Sequence, residues 1–196
     1  MSGRLFDIDV RAEAAFSYGT DGKKAIESRI KDESESGDDI MSPLYKNYEK
    51  KIISKVTLGA TKSFDYGDFK DRISLTGELY YNGKGYNKNI IKEFLNSNNR
   101  VEFAANYYEP NDYGMYYAAF FMQFDKFLND SNKSIKFNAI SNISDKSGIA
   151  TAGFVYKPID DFTIETDLNG YFGEEYSEYM LSGDRVSGEV ILTLKF

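Results

Sequence analysis

The chemically active side chains of this 196-residue chain are carboxylates, amines and hydroxyls, because it contains neither histidine nor cysteine. Without histidine the commonest general base and the commonest metal ligand are gone. Without cysteine there is no thiolate and no disulfide. Asp7 and Asp9 are two apart, the spacing that puts side chains on one face of a strand. Such a pair can do acid–base work, but Arg11 follows two residues on, and the row reads better as an ion network. No serine and lysine stand at a spacing that singles out a nucleophile. Asp32, Glu33, Glu35, Asp38 and Asp39 form an acidic run. Carboxylates suit Ca²⁺, yet the run lacks the spaced Asp–Gly–Glu pattern of a calcium loop and reads as a solvated segment. No catalytic residue, metal ligand or cofactor is expected, and the chain is read as not an enzyme. The net charge of −7 argues against nucleic acid as a partner.

The charges are instead placed by a second pattern, alternation with period two, which marks strands with two unlike faces. Phe6, Ile8, Val10, Ala12, Ala14, Phe16 and Tyr18 alternate with Asp7, Asp9, Arg11, Glu13 and Ser17. Ile52, Val56, Leu58, Ala60, Phe64 and Tyr66 oppose Lys55, Thr57, Thr61, Ser63 and Asp65, with Lys62 an exception on the apolar side. Ile73, Leu75, Leu79 and Tyr81 oppose Arg72, Ser74, Thr76 and Glu78. Ile135, Phe137, Ala139 and Ile143 oppose Lys136, Asn138 and Asn142. Phe162, Ile164, Leu168 and Phe172 oppose Thr163, Glu165, Asp167 and Asn169. The last segment sets Val186, Val190, Leu192, Leu194 and Phe196 against Arg185, Ser187, Glu189, Thr193 and Lys195. Two segments are less clear: 148–157 is rich in Gly and Ala, and 113–125 is apolar on both faces, so its register is open.

These segments make an all-β fold of about eight strands, expected to be one antiparallel up-and-down transmembrane β-barrel domain over 1–196. No run of about 18 apolar residues exists, so the chain has no transmembrane helix. Strands longer than soluble ones usually are suit a bilayer. The connections also sort by length. Those at 67–69, 126–132 and 157–161 are short or of middling length and alternate with long loops at 20–48 and 84–112. A membrane barrel has this asymmetry, short turns on the periplasmic side and long loops outside. The connection 144–147 is short where a long one is expected. Aromatics fall near strand ends, as interface girdles require: Phe6, Phe64, Tyr66, Phe162 and Phe196 at the short-turn end, and Phe16, Tyr18, Tyr81 and Phe172 at the other.

The closing residues, Val190-Ile191-Leu192-Thr193-Leu194-Lys195-Phe196, resemble the C-terminal strand signal of bacterial outer-membrane barrels. The stretches 77–86 and 109–117 resemble strand–loop junctions of porin- or exporter-like barrels. The resemblance implies an outer-membrane location in a Gram-negative-type bacterium. It also implies assembly by the barrel machinery through Val190, Leu192, Leu194 and Phe196. No signal peptide is visible, so a mature chain or the C-terminal part of a larger barrel is expected. In this reading lipid meets the apolar face. Asp7, Asp9, Arg11, Glu13, Lys55, Arg72, Glu78, Lys136, Glu165, Asp167, Arg185, Glu189 and Lys195 face the lumen, where a small hydrophilic solute would pass. Two alternatives remain. One is a narrow, filled barrel that acts through its surface loops. The other is a soluble ligand-binding barrel with the apolar face turned inward.

Overall fold

The computed structural model describes residues 2–20, 50–67, 69–89, 92, 113–181 and 183–195. They form one antiparallel sheet in which every strand pairs with its sequence neighbours. The strands are β1 (Ser2–Leu5), β2 (Ile8–Thr20), β3 (Lys50–Tyr66), β4 (Phe69–Asn82), β5 (Tyr116–Asp125), β6 (Lys133–Asn142), β7 (Ser147–Ile159), β8 (Phe162–Phe172) and β9 (Val186–Leu194). The all-β, up-and-down expectation of about eight strands therefore holds, with one correction. Eight longer strands, β2 to β9, follow the four-residue β1, and the sheet is not closed: β1 and β9 are its borders.

The short β1 has a local cause. Phe6 and Asp7 both have positive φ, 49° and 60°, and connect Leu5 to Ile8, which are paired. Positive φ at both central residues is the conformation of a two-residue hairpin whose twist matches its strands. The alternation that runs through Phe6 and Asp7 thus breaks there into β1 and β2. Phe6 is 88% exposed at the tip of the turn rather than in a girdle on a strand, and Asp7 stands beside it rather than on the lumen-facing row. In an odd-numbered meander the first and last strands run the same way, so β9 cannot close antiparallel onto β1.

The register assigns each side chain to a face. A row such as Leu58↔Leu79↔Ala118↔Ser141 carries the apolar side across the sheet. It resolves the segment that is apolar on both sides. Tyr116, Ala118, Phe120, Met122 and Phe124 share the face of Leu58, and Tyr117, Ala119, Phe121, Gln123 and Asp125 share that of Glu78. Ring contacts knit the apolar face, including Tyr81 to Tyr116 at 5.5 Å, Phe120 to Phe137 at 6.3 Å and Tyr66 to Phe124 at 5.2 Å. Lys62, the exception there, lays its ammonium 5.3 Å from the Phe64 ring centre and so keeps a favourable partner on an apolar surface.

The two ends differ. One carries the turns at 6–7, Gly67, 126–132 and 160–161; at the other β2 ends at Thr20, β4 at Asn82, β6 at Asn142 and β8 at Phe172. Most of the loops 20–48 and 84–112, the acidic run and Phe196 lie outside the described residues. At the short-turn end Arg72 is 2% exposed. Its guanidinium donates to the carbonyls of Tyr66 (3.0 Å) and Lys126 and to Asn129 Oδ1 (2.9 Å), and it lies 5.5 Å from the Tyr66 ring centre. It is a clamp between two turns, not a group lining an open interior. Truncation strands these acceptors, so Arg72→Ala is expected to cost about 3 kcal/mol, read as a lowered denaturant midpoint of the folded protein.

Candidate functional site

The candidate functional surface is the polar face of the sheet, and glycine organises it. Arg11 on β2, Gly59 on β3 and Glu78 on β4 lie on one row. Two strand spacings, about 10 Å, separate the outer members. The Arg11 guanidinium crosses that gap and donates to Glu78 Oε1. A Cβ on Gly59 would sit 3.0 Å from Arg11 Nε and 3.5 Å from Glu78 Cγ, so the missing side chain is the path of the ion pair.

The same device recurs in the other half. Lys136 on β6, Gly153 on β7 and Asp167 on β8 share a row. The Lys136 ammonium donates to Asp167 Oδ2 (3.1 Å) and to Glu165 Oε1. A Cβ on Gly153 would collide with Lys136 Cε and Asp167 Oδ1. Glu189 stands directly opposite Asp167, and Lys136 offsets part of that repulsion. Hydroxyls and amides fill the remaining rows: Thr61 to Thr76 at 2.9 Å, Thr151 to Asn169 at 2.7 Å, and Asn169 to Ser187 at 3.3 Å. Gly153→Val is expected to cost about 1–3 kcal/mol through overpacking. Gly170→Ala, whose new Cβ would meet nothing nearer than 3.9 Å, should leave the denaturant midpoint nearly unchanged.

At the long-loop end, 173–185 folds back over the polar face as a strap. It carries a single 3-10 turn, Glu178–Met180. The Glu178 carboxylate is 2% exposed and accepts from Tyr117 Oη (2.8 Å) and Asn142 Nδ2 (2.7 Å), on β5 and β6. Its backbone N–H donates to Asp145 Oδ2 (2.7 Å), while Asp145 Oδ1 accepts from the N–H (3.0 Å) and hydroxyl (2.6 Å) of Ser147. Gly173, with φ of 145°, begins the strap where a Cβ would meet Ser177 Oγ at 2.5 Å. Asn142, Ser147 and Ser177 are wholly buried. Most of the buried apolar side chains found among the described residues, Tyr86, Tyr113, Tyr117 and Met180, gather at this end.

The structure places the sequence-predicted residues as follows. Asp9, Arg11, Glu13, Lys55, Glu78, Lys136, Glu165, Asp167 and Glu189 are strand residues of the polar face. Arg185 and Lys195 flank β9 rather than lie in it, Asp7 lies in the β1–β2 turn, and Arg72 is a β4 residue whose side chain holds two turns. Among the aromatics, Phe16, Tyr18, Phe64 and Tyr66 on the long β2 and β3, and Phe172 on β8, are exposed; Tyr81 and Phe162 are half-buried. Val190, Leu192 and Leu194 are exposed on β9. Sequence reasoning missed the Tyr117–Asn142–Asp145–Ser147–Glu178 cluster. Its one local sign is the Asn–x–x–Asp–x–Ser spacing from 142 to 147, which suits side chains that cap their own turn.

Fold and site together define a class: an antiparallel up-and-down sheet with one apolar and one ionic face, strapped at one end. No protein family, no curated protein and no solved structure matches this chain. Among the described residues no helix is long and apolar enough to cross a membrane, which leaves crossing by strands untouched.

Proposed function

We propose that this sheet is the wall of a transmembrane β-barrel in the outer membrane of a Gram-negative-type bacterium, and that it serves transport of a small hydrophilic solute rather than catalysis. One observation carries the reading: the apolar face is uncovered along its length. Phe16 is 72%, Leu58 51% and Val190 67% exposed, and Ile52, Leu79, Leu168 and Leu192 share the same surface. A contiguous patch of this kind marks a membrane or partner surface. The ion pairs and the strap lie on the opposite face, which suits an aqueous interior. In a soluble barrel with the apolar face inward, that buried network would stand outside.

The distribution of turns orients the wall, with 6–7, Gly67, 126–132 and 160–161 toward the periplasm. Assembly machinery would act on β9, whose Val190, Leu192 and Leu194 face lipid. The test is refolding into phosphatidylcholine vesicles and planar bilayers. The expected result is heat-modifiable gel mobility and stepwise conductance in KCl. A protein that stays in aqueous solution without detergent, and binds no vesicle, overturns the membrane reading. The strap favours a second reading, a filled surface barrel acting through its loops, because it occupies the long-loop end of the polar face. Insertion without conductance would select it.

A further inference from the structure

In lipid, each unpaired backbone group of a strand costs several kcal/mol, so a spanning sheet has no tolerance for bare borders. The two borders here are unequal. The described residues of β1 pair with Ile8–Arg11 of β2 and stop there. From Glu13 to Thr20, β2 has no neighbour on that side among the described residues, and neither has β9 on its outer side. β2 and β9 are an even and an odd member of one meander, so they run antiparallel.

We propose that in the membrane β9 closes onto this free part of β2, with Val186 opposite Thr20 and Thr193 opposite Glu13, giving an eight-stranded ring from β2 to β9 that leaves β1 in place. The inference rests on the barrel reading above and adds its seam. The stagger of the sheet points to this register. The row through Val190 runs Thr166, Phe154, Ile135, Phe124, Ile73, Phe64. Continued along the β2–β3 register, it reaches Phe6, below the start of β2. The middle of β9 is therefore level with the bottom of β2. To bring the two strands to one height, the row must close with an offset of about ten residues, which puts Val190 against Phe16; closed barrels require a shear of this kind.

The side chains agree. On the apolar face, Gly188 would meet Tyr18, Val190 Phe16 and Leu192 Ala14, small against large. On the polar face, Glu189 would meet Ser17 and Thr193 Glu13, with no like charges opposed. A slip of one residue would put each side chain on the wrong face. A slip of two in one direction drives Leu194 onto Val10, which β1 already holds through Gly3. A slip of two in the other leaves Glu13 bare.

The absence of cysteine makes the test direct. Directly opposed residues of an antiparallel pair lie within disulfide reach. Ala14→Cys with Leu192→Cys, and separately Phe16→Cys with Val190→Cys, are refolded into phosphatidylcholine vesicles and oxidised. Insertion is scored on the same sample by protection of the strands from protease. The expected result is an intramolecular disulfide in both pairs. The offset control, Ala14→Cys with Gly188→Cys, should yield less by on the order of tenfold. Inserted protein in which neither pair closes overturns the proposal and gives the borders to other strands. Disulfides joining two chains overturn it in favour of a second copy, and equal yield from the control overturns the register. Failure to insert instead removes the barrel reading on which the seam depends.

Discussion

Leu58→Arg is expected to destabilise the vesicle-inserted protein by about 2–4 kcal/mol, the cost of a cationic side chain at the bilayer midplane. Leu58 is the middle residue of β3 (Lys50–Tyr66) and is half-exposed on the apolar face. The position discriminates because exposure in water and exposure in lipid predict opposite results. In water, a surface leucine replaced by arginine changes stability by about 0.5 kcal/mol or less. In lipid, the charge has no hydration and no partner. The measurement is reversible unfolding of wild type and variant in vesicles. Phe16→Arg, near the long-loop end of β2, should cost about 1 kcal/mol or less, since the penalty falls toward the interface. Equal small costs at both positions would remove the lipid from that face.

Glu178→Ala is expected to cost about 3 kcal/mol and, in addition, to release the strap. The carboxylate is the acceptor that holds Tyr117 Oη and Asn142 Nδ2, and both donors are buried. Its removal leaves them with their desolvation and no acceptor, at about 1–3 kcal/mol each. Glu178→Gln keeps a carbonyl oxygen near the same donors and should lose roughly half as much, because hydrogen bonds to a charged group are the stronger ones. Limited proteolysis reads the local effect: cleavage within 173–185 should speed up in the alanine variant while the strands stay protected. If the protein conducts, the same variant should widen the long-loop mouth and raise single-channel conductance. An alanine variant as stable and as protease-resistant as wild type would mean that the strap is held by other contacts.

Much of the polar face was legible in the sequence, for a physical reason. Successive strand residues point to opposite sides, so Asp9, Arg11 and Glu13 had to share one surface and Val10, Ala12 and Ala14 the other. The same logic failed at 113–125. Alternation reports a face only where the faces differ, and Phe120 and Phe121 are equally apolar. Their assignment came from their neighbours, Gly77 with Ala139 for one and Thr76 with Asn138 for the other. The pattern also ran unbroken through Phe6 and Asp7. Phe-Asp carries none of the Asn-Gly or Gly-x signature that usually marks a hairpin with positive φ. That one turn sets the short β1 apart from β2.

By itself the sequence determined that this chain is made of long strands with an apolar and an ionic side, joined by turns that are short at one end. These are properties of residues one and two positions apart. Only the tertiary structure decided that the sheet has nine strands with open borders. It alone made Gly59 and Gly153 the passages under ion pairs, set Arg72 to bind two turns, and made Glu178 the anchor of a strap. Each of these joins groups far apart in the chain: 67 positions for Arg11 and Glu78, 61 for Tyr117 and Glu178. No local pattern encodes such a distance; the register of the intervening strands sets it, one backbone hydrogen bond at a time.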